Sequence, residues 1–108
     1  MTPEGIVKEE IKKILKRFKV YYFMPRGTTY GRRGIADITC CYYGRFIAVE
    51  AKADKRAKQS QMQKLDEAMV KAAGGIYILI HEGNLIELVN LLKRIKEDAE
   101  AERQDSSV

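Results

Sequence analysis

A chain of 108 residues, 45% hydrophobic and 32% charged, has the size and balance of one compact domain with one modest core. It holds no apolar run long enough to cross a bilayer, and Met1-Thr2-Pro3-Glu4 lacks the basic-then-apolar layout of a secretory leader, so a soluble intracellular protein is expected. The net charge of +5 is uneven: residues 1–58 hold 14 Lys/Arg against 6 Asp/Glu, residues 59–108 hold 6 against 9, and the basic half suggests a surface that faces a polyanion.

Thr2-Pro3 is a helix start, a capping hydroxyl followed by Pro at the first helical position. Val7, Ile11, Ile14, Leu15 and Phe18 repeat at helical spacing and predict a helix from Pro3 to Phe18. Val20 to Met24 is aromatic and β-branched and reads as a strand stopped by Pro25. Residues 26–34, with three glycines and three arginines, read as a basic loop. Ile35–Cys41 and Arg45–Ala51 predict two strands joined by a tight turn at Tyr42-Tyr43-Gly44. Cys40 and Cys41 are neighbours on a strand and point to opposite faces, so free thiols are expected. With a single histidine, His81, and no other cysteine, a zinc site is not expected; His81 receives no role.

A basic connection, Ala53 to Lys58, leads to Ser60, which can cap a helix running to Ala73 before Gly74-Gly75. Met62 and Met69 follow core spacing on that helix. Ile76–Ile80 is a continuous apolar run and reads as a buried strand. Glu82-Gly83-Asn84 turns into a last helix, Leu85 to Lys96, with Leu85, Leu88, Val89 and Leu92 on one stripe, either core or in part an interface between copies. The expectation is one α/β domain over residues 1–96, a mixed sheet flanked by helices. Residues 97–108 read as a polar, frayed tail.

Two strands carry charges that are expensive to bury. Asp37 lies within Ile35-Ala36-Asp37-Ile38, and Glu50 and Lys52 lie within Phe46-Ile47-Ala48-Val49-Glu50-Ala51-Lys52. Alternation puts Glu50 and Lys52 on one face, and the hairpin brings Asp37 beside them. Two carboxylates can hold Mg²⁺ or Mn²⁺, with the Ala51 carbonyl as a further oxygen ligand. A lysine beside them can orient water or stabilise a phosphorane, so the trio suits phosphodiester hydrolysis. A plain Asp–Lys or Glu–Lys ion pair is the competing reading. At about 100° per residue, Glu4 falls within the apolar stripe of the first helix. It can bind a second metal ion or simply face its own helix terminus.

At these residues the chain resembles a virus-type replication-repair nuclease (VRR-NUC) domain, a branch of the PD-(D/E)xK nuclease superfamily. The matching pieces are Thr2-Pro3-Glu4-Gly5, Tyr30-Gly31 with Gly34-Ile35-Ala36-Asp37, Gly44 to Lys52, Ser60 to Gln63, and Ala72-Ala73-Gly74-Gly75-Ile76. A single ExK is weak; the ordered set at these spacings is specific. The resemblance implies a restriction-endonuclease-like αβββαβα fold and a metal-dependent, structure-sensitive DNA endonuclease of phage type. It also implies a homodimer acting on branched DNA such as four-way junctions or flaps, with Asp37 and Glu50 as metal ligands, Lys52 as the catalytic lysine and Glu4 as the helix acid. The family's glutamine is either Gln63, which fits the cap-x-x-Gln form, or Gln61, which shares a helix side with Leu65, Met69 and Ala72. A capping box would explain Gln63 without catalysis. Arg26, Arg32 and Arg33 before the trio, and Lys55, Arg56 and Lys58 after it, are candidate phosphate contacts, with Tyr30 as a stacking candidate. No base-reading motif is present. A non-catalytic DNA-binding module of the same fold is the alternative.

Overall fold

The computed structural model describes residues 1–25 and 34–106. Arg26, Tyr30, Arg32 and Arg33 lie outside the described residues.

The elements are α1 (Pro3–Arg17), β1 (Tyr21–Phe23), β2 (Ile38–Tyr42), β3 (Arg45–Ala51), α2 (Gln61–Ala72), β4 (Ile76–Ile80) and α3 (Leu85–Ser106). The four strands form one mixed sheet in the order β1-β2-β3-β4. The first two pairings are antiparallel and β3 pairs parallel with β4. The helix α2 makes the crossover that a parallel pair requires.

Local chemistry accounts for the element ends. The Thr2 hydroxyl accepts the Gly5 N–H at 3.0 Å and closes the start of α1. The β2–β3 turn is tighter than expected. Tyr42 already pairs with Arg45, so Tyr43 and Gly44 alone make the loop, at φ 50° and 80°. Positive φ at both central residues is the primed turn whose twist matches a hairpin. Asp37 lies just before β2 rather than inside a strand, because the ladder begins at Ile38 opposite Val49.

The main core lies between one face of the sheet and the pair α1 and α3. It joins Val7, Ile11 and Leu15 to Ile38, Ile47, Val49 and Ile80, and to Leu88, Leu92 and Ile95. The apolar stripe expected on α3 is therefore core at Leu88, Val89 and Leu92. This helix does not end near Lys96 but continues to Ser106. Ala99 extends the buried stripe, Glu102 binds Arg45 at 2.8 Å, and the Arg103 guanidinium stacks over Tyr43. Those contacts to the hairpin tip hold helical a segment whose composition reads as a frayed tail, aided by good helix formers.

The opposite face is thinner. Ala36, Ala48 and Tyr77 form a small cluster there with Val70 and Leu79. Here α2 is turned against its own sequence pattern. Met62, Leu65 and Met69, expected in the core, are exposed, Leu65 at 54%. The side facing the protein carries the buried Asp66 and the half-buried Gln63, Glu67 and Val70.

Candidate active site

Glu50 is the most deeply placed charged side chain described, with 1% of its surface exposed. It shares a sheet face with Ala48, since alternate residues of β3 point the same way. Its Oε1 accepts the Asp37 backbone N–H at 3.1 Å. Asp37 returns the contact: its Oδ2 accepts the Ala51 N–H at 2.9 Å. This reciprocal exchange continues the β2–β3 ladder by one step, with side chains in place of carbonyls. It fixes both carboxylates against the strand ends.

The other oxygen of Glu50 meets α2. The Gln63 amide donates to Glu50 Oε2, and Lys52 Nζ lies 3.5 Å from the same oxygen. Lys52 also donates to Gln63 Oε1 at 2.8 Å. Gln63 takes part in the capping box as well, accepting the Ser60 N–H at 2.9 Å while its own N–H reaches the Ser60 hydroxyl. The two readings of Gln63 are therefore compatible. The cap turns Oε1 inward to Ser60 and Lys52, which leaves Nε2 aimed at Glu50. Gln61 is exposed on the outer side of α2. Helical phase favoured Gln61 because it assigned the apolar stripe to the core, and that stripe faces outward.

Burial pushes the Glu50 carboxyl up to about 7, reinforced by the neighbouring Asp37 charge and opposed by Lys52. Tyr77 lies on the same face; its hydroxyl is buried, and burial and the Glu50 charge both raise its pKa. Gln59 lies beside that hydroxyl but outside hydrogen-bonding geometry.

Glu4 is set apart from this centre. It lies on the side of α1 that carries Val7, Ile11 and Leu15, as its helical phase suggested, but in the first turn it is half exposed. Lys8 joins it to the site, with Nζ 3.3 Å from Asp37 Oδ1 and 3.9 Å from Glu4 Oε1. Among the described residues, no three or more Asp, Glu, His or Cys side chains are grouped to hold a metal ion. Asp37 and Glu50 with the Ala51 carbonyl make a smaller set of hard oxygens. That carbonyl leaves β3 on the same edge as the Ala51 N–H, toward Asp37. Two carboxylates and one carbonyl fit Mg²⁺ or Mn²⁺, which ordinarily keep several waters.

One supporting residue on α2 escaped the sequence reading. Asp66, buried on α2, accepts the Ala36 N–H at 3.2 Å and ties the approach to Asp37 onto the helix. Its signal was an acid on the side of α2 away from the apolar stripe. Gly34 lies flush on the same helix, at φ +80°, and a Cβ there would fall 2.5 Å from the Met62 carbonyl carbon. Gly34→Ala is expected to cost about 2 kcal/mol by strain and by pushing the Asp37 segment off α2. Thermal unfolding reads that loss; an unchanged melting temperature would show that the segment relaxes freely.

Lys55, Arg56 and Lys58 are exposed beyond Lys52. Lys55 and Arg56 line a depression of about 300 Å³ with Asp54, His81, Glu82 and Gly83. No helix among the described residues is long and apolar enough to span a membrane. The chain matches no family model, no curated protein and no solved structure. The resemblance to VRR-NUC domains therefore rests on the motifs quoted above.

Proposed function

We propose that this chain is a divalent-metal-dependent DNA endonuclease with the restriction-endonuclease-like topology of the VRR-NUC group. The observation that carries the reading is the interlocked set Asp37, Glu50, Lys52 and Gln63. Each of the two carboxylates takes a backbone N–H across the strand ends, and a lysine and a glutamine converge on Glu50 from the α2 side. An ion pair needed only for stability would gain little from burying Glu50 next to a second acid. A site for a hard cation needs that arrangement.

A divalent cation held by Asp37, Glu50 and the Ala51 carbonyl would supply Lewis acidity at the scissile phosphate and hydroxide at neutral pH. Lys52 places an ammonium at the edge of the same site, where it orients the attacking water and offsets charge on the non-bridging oxygens. Gln63 holds that ammonium in place. Lys55, Arg56 and Lys58 follow directly and suit the phosphates of the strand beside the cut.

The outward stripe of α2 suits a second copy of the chain. Gln61, Met62, Leu65, Ala68, Met69, Ala72 and Ala73 are all exposed and carry no charge. Beside them lies an apolar groove of about 300 Å³ lined by Phe46, Met69, Val70, Ala73 and Gly75. A twofold contact of this kind presents two sites to opposing strands, as a four-way junction requires. Leu65→Glu is expected to halve the solution mass by placing two carboxylates near the twofold axis. A wild-type mass of one chain would remove the dimer from the proposal.

The deciding experiment is a panel of duplex, flap, four-way junction and single-stranded DNA incubated with Mn²⁺, with Glu50→Gln in parallel. Metal-dependent cutting lost in the variant supports the enzyme. Salt-sensitive binding with no cutting under any divalent ion would favour the non-catalytic DNA-binding module.

A further inference from the structure

Lys8 occupies a position that the trio does not explain. It stands on α1, one turn beyond Glu4 and within about 40° of it around the helix axis. Its ammonium is 3.3 Å from Asp37 Oδ1 and 3.9 Å from Glu4 Oε1. The opposite oxygen of Asp37 is committed to the Ala51 N–H, so Oδ1 is the one left to face a cation. Lys52 is differently held, at 14% exposure and tied to Gln63. Lys8 is 30% exposed, and among the described residues its ammonium is held by these two ion pairs.

We infer that Lys8 is a resident counter-cation: its ammonium neutralises Asp37 in the metal-free protein and is displaced from Oδ1 when a divalent ion enters. The inference rests on the metal-site reading above. The physical argument is competition. An ammonium within about 4 Å of a carboxylate offsets the negative charge that a second cation would use, and so weakens that cation's binding. The long aliphatic stem lets the head swing to solvent while the stem stays packed on α1. Without Lys8 the pair Asp37 and Glu50 would face each other with only Lys52 to balance them.

Mn²⁺ binding to the full chain, measured by titration calorimetry without DNA, tests this. Lys8→Met should bind Mn²⁺ about tenfold more tightly than wild type. Lys8→Arg should stay near wild type, since it keeps the charge. Lys13→Met, on an outward ammonium of the same helix paired with Glu10, should also stay near wild type. Lys8→Gln replaces Lys8→Met if the latter fails to fold. Unchanged or weaker binding by the neutral Lys8 variants, with wild type binding normally, would overturn the inference and leave the metal site standing. Equal tightening by Lys13→Met would overturn it too, as a general charge effect. Absence of Mn²⁺ binding in every protein would overturn both the inference and the site.

Discussion

Glu50→Gln is expected to lose DNA cleavage by about a thousandfold or more while becoming more stable than wild type at pH 8 without metal. The two halves of this result have one cause. Glu50 is buried beside Asp37, and above a pH of about 7 it carries a charge that its surroundings only partly compensate. Holding that charge costs about 3 kcal/mol relative to an ordinary carboxylate. The amide removes the charge but not the whole set of contacts. One of its two polar atoms becomes a donor. It must then face either the Gln63 amide or the Asp37 N–H, both of which are donors. That conflict returns about 1 to 2 kcal/mol. The expected net gain is therefore about 1 to 2 kcal/mol at pH 8. Urea unfolding in the presence of a chelator measures it, and the DNA panel measures the loss. Retained cleavage would remove Glu50 from the chemistry. Lost cleavage with lost stability at pH 8 would mean that Glu50 is mainly a structural acid.

Much of this site was legible because strand alternation is a rigid rule. Glu50 and Val49 point to opposite faces whatever surrounds them, so an acid among Phe46, Ile47, Ala48 and Val49 announces itself. The same holds for the caps, since Thr2-Pro3 and Ser60 act through their own backbone. Helix facing was harder. On α1 the apolar stripe and the core agree, but on α2 they do not. Met62, Leu65 and Met69 read as core because nothing in a single chain's pattern says which neighbour an apolar face awaits. The same error kept Gln61 beside Gln63 as a candidate for the glutamine. Lys8 and Asp66 were missed for a different reason. Each acts across a gap in sequence, on Asp37 and on Ala36, and neither breaks a local rule. The extent of α3 depended on long-range contact as well, with Arg45 and Tyr43 holding Glu102 and Arg103.

The pH dependence of the metal-free protein should run opposite to that of an ordinary salt-bridged acid. The Glu50 carboxyl is raised from 4.5 to about 7, first by burial, then by Asp37, with Lys52 pulling the other way. A carboxyl raised on folding binds its proton more tightly in the folded chain than in the unfolded one. Its contribution to stability is present below about pH 4.5 and is lost as the pH rises through 7. The groups facing it are Asp37 and Lys52 from its own hairpin, Gln63 from α2 and Tyr77 from β4, with Lys8 of α1 reaching it through Asp37. Glu67, lowered by Lys71, changes protonation below 4.5, and Cys40, pushed up by burial to about 12, changes far above. Neither masks the window. Stability should therefore fall by about 3 kcal/mol between about pH 5 and pH 8. Metal binding should show the mirror image, because a cation must displace the Glu50 proton. Mn²⁺ affinity should rise by up to about tenfold per pH unit up to about 7 and then level, with proton release visible as a buffer-dependent heat. Glu50→Gln should abolish both slopes. Wild-type stability that is flat or rising across this interval would mean that Glu50 is already ionised and well compensated, and the gain expected for the amide would disappear with it.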